Sequence, residues 1–104
     1  MAGIKDIIWT DKSKNDLKNI YEFISYTVNE KRVFDTISKI IEKVEILYKT
    51  PKAGQREPKF EELKKEYRRL IEQHCKIVYH IMEDPVYINR VFDSRQNPGK
   101  LTIK

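Results

Sequence analysis

The chain has 104 residues, which is enough for one modest hydrophobic core and too few for two. Its composition, 39% hydrophobic and 36% charged, is that of a small globular protein. The single Cys75 excludes an internal disulfide, and no apolar run reaches the roughly 18 residues of a membrane helix. We therefore predict one soluble, cytoplasmic domain over residues 1–104, without a signal peptide.

The formal net charge is +5, and most of the excess lies in the second half of the chain. Residues 51–104 carry twelve Lys and Arg against eight Asp and Glu, whereas residues 11–50 carry eight against seven. A basic half of this kind favours an acidic partner, either nucleic acid or an acidic protein segment. The alternative is that the charge serves only solubility.

The first half of the chain has the patterns of one strand and two amphipathic helices. Residues 4–10 (IKDIIWT) are a short β-branched and aromatic run, which predicts a strand. Thr10 or Asp11 offers an N-cap for a helix over 12–28, and a second apolar period predicts a helix over 31–49. Because few residues separate the two helices, we expect them to form an antiparallel hairpin.

The second half changes to the period of strands. Residues 50–58 (TPKAGQREP) end the second helix, because Pro51 and Gly54 both interrupt regular structure. Apolar residues then alternate over 67–93, which predicts three antiparallel strands connected as a meander. A basic tail over 95–104 follows.

The predicted order is β-α-α-β-β-β. This is an α+β fold in which the helical hairpin over 12–49 covers one face of a small, mostly antiparallel four-stranded sheet. Alternation in the middle strand of the meander places Cys75 and Tyr79 on one face and Lys76 and His80 on the other. Since the hairpin covers only one face, we expect the other to be at least partly free and to carry the function.

Four stretches resemble the RelE/ParE superfamily of toxins. WTDKSKNDLKNIYEFI (9–24) resembles the family's strand ending in Trp-Thr followed by a helix with an Asp-Leu-x-x-Ile pattern. PKAG (51–54) is similar to its Pro-x-x-Gly, and YRRLIEQHCKIVYHI (67–81) to its Arg-x-Leu…Tyr-Arg-Ile-Val-Tyr segment. RVFDSRQNP (90–98) resembles its closing strand.

The resemblance implies the toxin of a type II toxin–antitoxin module of the plasmid-stabilisation type, bound by a cognate antitoxin in a hetero-oligomer. ParE-like members poison DNA gyrase, whereas RelE-like members cleave mRNA on the ribosome. A third possibility is an inactive member that serves only as a module binding an antitoxin or operator complex. We expect no cofactor and no metal, because the sequence has neither a glycine-rich phosphate loop nor metal-ligand spacing.

Cleavage of RNA through its 2′-hydroxyl requires a base, an acid and donors for the phosphorane charge. The candidates for a metal-independent endoribonuclease are Arg68, Lys76, His80 and Arg95. Arg68 and Arg95 match positions that are often basic in the family, and Lys76 takes the place of a family Arg. His74 is a weaker candidate for the acid or base. The residues predicted to bind a target or nucleic acid are Arg68, Arg69, Lys76, Arg90 and Arg95.

Two departures from the family pattern weaken the transfer of nuclease chemistry. Where the family pattern has Tyr-Arg in the middle strand, this chain has Cys75-Lys76. Lysine cannot bind a phosphate with two parallel hydrogen bonds, as the planar guanidinium of arginine does. Asp93 and Ser94 stand where the closing strand often carries a His or Tyr. We therefore favour a ParE-like growth inhibitor that acts on gyrase through Arg95, with the mRNA interferase as the alternative.

Overall fold

A computed structural model describes residues 6–27, 30–57, 66–83 and 85–95. Along the chain the elements are β1 (Ile7–Trp9), α1 (Asp11–Thr27), α2 (Glu30–Glu45), a 3₁₀ turn (Ile46–Tyr48), β2 (Gln55–Arg56), β3 (Tyr67–Glu72), β4 (Cys75–Ile81) and β5 (Val86–Asp93). The strands form one five-stranded sheet in the order β1-β5-β4-β3-β2. β1 runs parallel to β5, and the other pairs in the sheet are antiparallel.

The predicted α+β fold is confirmed, but the sheet has five strands and not four. The additional strand is β2, in which Gln55 and Arg56 pair with Arg69 and Arg68 of β3. Two residues are too short for an alternating pattern, so the sequence carries no signal for this strand. The second helix also changes to 3₁₀ geometry after Glu45.

Some predicted parts lie outside the described residues: positions 4–5 of the first strand, position 28 of the first helix and positions 96–104 of the basic tail. A single domain over 1–104 remains a prediction. None of the helices in the described part of the chain is long and apolar enough to cross a membrane.

Thr10 caps α1 and ties the helix to the sheet. Its hydroxyl accepts a hydrogen bond from the backbone N–H of Ser13 at 3.2 Å, as an N-cap side chain does. The same hydroxyl donates to the carbonyl of Ile88 at 2.8 Å, and the backbone N–H of Thr10 reaches that carbonyl at 3.2 Å. The start of α1 is thereby fixed where β1 ends beside β5.

The helices cover the face of the sheet that carries Cys75 and Tyr79, one of the two faces into which the alternation divides β4. Cys75, Ile77 and Tyr79 lie on this face and belong to the main core. The other buried members of the core are Ile20, Ile24, Val33, Ile40, Val44, Leu47, Leu70, Val86, Ile88 and Val91. Burial of this apolar stripe of each helix against the sheet is what stabilises the hairpin.

The opposite face of the sheet is buried at its centre. Val78 is 0% exposed and Tyr67 is 8% exposed, and Phe92 packs against this pair. At the end of β3, by contrast, Ile71 is 52% exposed. The second face is therefore accessible only in part.

The PKAG stretch is held against the sheet by Tyr79. The hydroxyl of this buried residue accepts a hydrogen bond from the N–H of Gly54 at 2.9 Å and donates one to the carbonyl of Pro51 at 2.9 Å. A Cβ at position 54 would lie 2.5 Å from the carbonyl oxygen of Arg69 and 2.7 Å from the Tyr79 hydroxyl. Glycine is required here because the backbone passes so close to β3 and β4.

Candidate functional site

Arg95 lies just after the end of β5, and one edge of its guanidinium group is hydrogen bonded to Asp93. Nε of Arg95 donates to Oδ1 of Asp93 at 2.9 Å, and Nη2 donates to Oδ2 at 2.6 Å. The backbone N–H of Arg95 also donates to Oδ1, at 2.9 Å. The guanidinium lies over the Phe23 ring at 5.7 Å. The Asp93 side chain is 0% exposed, whereas the Arg95 side chain is 42% exposed. Arg95 is therefore an oriented and partly exposed positive charge.

Burial by itself would raise the pKa of the Asp93 carboxyl, but hydrogen bonds from the side chain and backbone of Arg95 outweigh it. The positive charge of Arg95 acts in the same direction, as does His74. The pKa of Asp93 therefore lies below its ordinary value. The same pair raises the pKa of Arg95, so both members are charged at neutral pH.

The Asp93–Arg95 pair should make stability depend on pH in the acid range. The pKa of Asp93 is lower in the folded than in the unfolded chain, so its contribution to the free energy of unfolding is fully present above the pKa of the unfolded chain, about 3.9. That stability is lost as the pH falls through the pKa of the folded chain. We expect urea denaturation of the wild type to show a fall in stability below about pH 4, and Asp93→Asn to show a shallower fall.

The control for this experiment is Asp35→Asn, which removes an exposed carboxylate from α2. It should leave the acid dependence of the wild type nearly unchanged. An Asp93→Asn variant whose stability fell as steeply as that of the wild type would contradict the assignment.

Cys75 is a buried thiol beside this pair. Its Sγ lies 3.9 Å from Oδ2 of Asp93, and burial together with the charge of Asp93 raises the pKa of the thiol to about 12. The thiol is therefore neutral at physiological pH, and the thiolate needed for nucleophilic attack is scarce. Cys75 packs in the core.

A groove of about 380 Å³ lies next to Arg95, between the helices and the turn that joins β3 to β4. Its buried lining residues are Ile24, Ile40 and Cys75. Its charged lining residues are Arg32, Asp35, Lys39, Glu72 and Arg95, and Thr36, Gln73 and His74 complete the lining. The groove thus combines apolar groups with charges of both signs.

On the face of the sheet away from the helices, Glu57 binds two of the predicted target-binding residues. Its carboxylate accepts from Nη1 of Arg69 at 2.9 Å and from Nζ of Lys76 at 2.7 Å. The Glu57 side chain is only 1% exposed, so it needs these cations for its charge to be tolerated. No sequence pattern identified Glu57, because its partners lie 12 and 19 positions away.

Arg68 faces the other way from its neighbour Arg69, because successive side chains of a strand point to opposite faces. Its Nη1 donates to the carbonyl of Gly54 at 2.8 Å, and its Nη2 lies 2.7 Å from a carboxylate oxygen of Glu66. Arg68 therefore supports the PKAG stretch. It is separated from Lys76, which lies on the opposite face of the sheet.

His80 is held between two aromatic rings. Its ring is stacked on Tyr87 at 5.2 Å and meets Tyr67 edge-on at 5.4 Å. Nδ1 lies 2.7 Å from Oδ1 of Asn89. Because an amide oxygen can only accept a hydrogen bond, Nδ1 carries the hydrogen and donates it to Asn89. Asn89 is the extra residue of a β-bulge in β5. His80 is only 5% exposed, so the imidazole is largely closed to solvent.

Arg90 connects the sheet to α1. Its Nε and Nη2 donate to the carboxylate of Asp16 at 2.7 and 3.0 Å, and that carboxylate also accepts from the backbone N–H of Val91 at 2.9 Å. The guanidinium lies 4.7 Å from the Phe92 ring centroid. The ion pair with an acid explains why an arginine stands among apolar neighbours in β5.

The four candidate nuclease residues do not converge. Lys76 and His80 share one face of β4 but are four residues apart, which is about 13 Å along a strand. Arg68 lies on the other face beside Tyr79, and Arg95 lies beyond the end of β5 where Asp93 pairs with Cys75, which is the end of β4 away from His80. Their catalytic roles remain predictions. Within the described ranges, no three His, Cys, Asp or Glu side chains gather as metal ligands would.

Comparison with known proteins agrees with this fold. The family described as "ParE toxin of type II toxin-antitoxin system, parDE" matches residues 7–98. Among solved structures, a chain of the "Chromosomal ParDE TA system from P. aeruginosa" is similar, with 21% sequence identity and a TM-score of 0.73. The similarity covers 86% of this chain and 96% of that one, and at this identity it shows a shared fold. No curated protein matches the sequence. Since the family match spans most of its length, the chain belongs to the ParE toxin family of type II toxin–antitoxin systems.

Proposed function

We propose that this protein is a growth inhibitor that acts on DNA gyrase and is neutralised by a cognate antitoxin. The observation that carries the proposal is the match to the ParE toxin family over residues 7–98. The similar solved chain comes from a ParDE toxin–antitoxin system, which supports an antitoxin as partner. The net charge of +5 favours an acidic partner surface.

Arg95 is the residue through which we propose that the toxin contacts its target. Its guanidinium is already oriented by Asp93 and by the Phe23 ring, so little side-chain entropy is lost on binding. Its 42% exposure leaves it accessible to a partner. By contrast, Arg69 and Lys76 share the carboxylate of Glu57, and Arg90 is held by Asp16.

The distribution of the candidate catalytic residues supports binding rather than RNA cleavage. A general acid and a general base must both lie within hydrogen-bonding reach of the same reacting phosphate. His80 is 5% exposed and hydrogen bonded to Asn89, while Arg95 lies at the other end of the sheet. The charge of Lys76 is offset by Glu57. A gyrase-directed toxin needs no such acid and base.

Expression of the protein alone should arrest growth, and the purified protein should inhibit DNA supercoiling by gyrase. We expect Arg95→Lys to weaken this inhibition by about tenfold. Lysine keeps the positive charge but cannot form the two parallel hydrogen bonds with Asp93 that orient the guanidinium. Arg95→Ala should weaken it further. Lys14→Ala, which removes an exposed charge from α1, is the matched control and should inhibit as the wild type does.

Parallel assays on translating ribosomes distinguish the alternatives. Thermal denaturation must first show that each variant is folded, because Arg95→Ala leaves the buried carboxylate of Asp93 unpaired. Transcript cleavage that Arg95→Ala abolishes, with gyrase unaffected, would establish an mRNA interferase instead. Normal growth on expression of the folded protein would establish a family member that only binds partners.

A further inference from the structure

The second helix carries an exposed apolar stripe beside the one that packs in the core. Its large side chains recur every seven residues, with Phe34 71% exposed, Ile41 42% and Tyr48 41%. Phe34 and Ile41 directly follow the buried Val33 and Ile40, so the exposed stripe is turned by about 100° around the helix axis from the buried one. A helix of another molecule can therefore lie along this flank of α2 without displacing the core.

Polar residues complete the stripe at the spacing of a helix that packs lengthwise on another helix. Intervals of three, four, three and four residues separate Lys31, Phe34, Ser38, Ile41 and Glu45. Such intervals align side chains along one line of a helix, and they are those of the contact line between paired helices. Lys31 and Glu45 are exposed and Ser38 is half-buried. This five-residue line therefore has a small residue at its centre, an apolar residue on either side, and opposite charges at its two ends.

We propose that this stripe is the contact surface between two copies of the chain, with their α2 helices antiparallel about a two-fold axis at Ser38. Lys31 and Glu45 each lie seven residues from Ser38, so Lys31 of each copy comes level with Glu45 of the other. Phe34 lies four residues before Ser38 and Ile41 three residues after it. The aromatic ring of one copy therefore comes within about 1.5 Å, the rise of one residue, of the level of the other copy's isoleucine. Both copies use the same patch, as a two-fold axis requires.

The charges at the ends of the line favour a second copy in this orientation. A parallel pair of helices would place Lys31 beside Lys31 and Glu45 beside Glu45, and like charges repel. The antiparallel pair forms two ion pairs instead. The net charge of +5 on each copy opposes association, but charges separated by more than about 8 Å are largely screened at physiological salt. We therefore expect a weak dimer, with a dissociation constant on the order of 100 μM.

Sedimentation equilibrium of the purified full chain measures this association at protein concentrations from about 10 μM to about 1 mM. We expect a monomer at the lower limit and a dimer at the upper one. Phe34→Ser should weaken the dimer by about tenfold or more, because the burial of one aromatic side chain from each copy is lost. Tyr26→Ser removes a 93% exposed aromatic ring from α1, outside the stripe. It is the matched control and should dimerise as the wild type does.

Exchange of the two charges tests the antiparallel register. Lys31→Glu alone places two carboxylates together at each end and should weaken the dimer about three- to tenfold, as should Glu45→Lys. The double variant restores both ion pairs with their signs reversed and should dimerise as the wild type does. Lys14→Glu, at an exposed position of α1, lowers the net charge from +5 to +3 just as Lys31→Glu does. This control should strengthen the dimer slightly, because it reduces the general repulsion between copies.

Circular dichroism must show that each variant keeps its helices. A chain that stays monomeric at about 1 mM would overturn the inference, even if an antitoxin covers the same stripe in a complex. Equal effects of Phe34→Ser and Tyr26→Ser, or a charge-exchanged double variant no better than the single ones, would do the same. Dimer formation needs neither gyrase nor an antitoxin, so it goes beyond the proposed function. A dimeric chain that leaves gyrase unaffected would contradict that function alone.

Discussion

Replacing Asp16 with alanine should destabilise the protein by about 3–5 kcal/mol, because the change leaves a buried cation without its partner. The side chains of Asp16 and Arg90 are only 8% and 12% exposed, and two hydrogen bonds join them. The same carboxylate accepts from the backbone N–H of Val91, which would also lose its partner. Urea denaturation of the purified variant measures the loss in the free energy of unfolding.

A second variant separates the loss of the ion pair from the other effects. Adding Arg90→Met to Asp16→Ala removes the cation that has lost this carboxylate and should recover part of the lost stability. The recovery should be incomplete, since the N–H of Val91 remains without Asp16. Asp35→Ala, at an exposed position of α2, is the control and should change stability by no more than about 0.5 kcal/mol. A loss for Asp16→Ala as small as that of the control would show that the ion pair does not stabilise the fold.

Substituting Gly54 with alanine should cost about 1–3 kcal/mol or slightly more, because there is no space for the added methyl group. The new Cβ would lie 2.5 Å from the backbone carbonyl of Arg69 and 2.7 Å from the hydroxyl of Tyr79, which is fully buried. Either the PKAG stretch or β3 must move, and the hydrogen bond from the N–H of Gly54 to Tyr79 is then weakened. Thermal and urea denaturation both measure this loss.

The contribution of the hydroxyl contact can be measured with Tyr79→Phe. That variant loses hydrogen bonds to Gly54 and Pro51 but creates room near position 54. The double variant with Gly54→Ala and Tyr79→Phe should therefore lose less stability than the sum of the losses of the two single variants. Ala53→Ser, a small change at the exposed neighbouring position, is the control and should be nearly neutral. A neutral Gly54→Ala would contradict the requirement for glycine.

The helices and the long strands could be predicted because their apolar residues repeat locally. The alternation in β4 placed Cys75 and Tyr79 on one face and Lys76 on the other, and the structure confirms this division. The strand β2 could not be predicted in this way, because its two residues are fixed by pairing with β3 rather than by their own pattern. The same limit applied to Thr10 and Asp11, since both can cap a helix and only the contact with Ser13 distinguishes them.

The candidate site was predictable in its residue types but not in its pairings. The position of Arg95 after the last strand suggested a guanidinium that binds a target, and the structure shows that Asp93 orients this group. The aspartate at position 93 looked like a departure from nuclease chemistry, and its physical role in this chain is to hold that arginine. Glu57 was missed because nothing in its neighbourhood distinguishes it from a solvated loop residue.

The sequence alone therefore determined the order of the elements, the faces of the strands and the family resemblance, all of which depend on neighbouring residues. The tertiary structure decided which charges are available to a partner. Asp16 binds Arg90 across 74 positions and Glu57 binds Lys76 across 19. Such pairs form only when the strand register and the helix packing bring distant residues together. The electrostatic partner of a side chain is thus a property of the fold, whereas its position on a helix or strand face is a property of the local sequence.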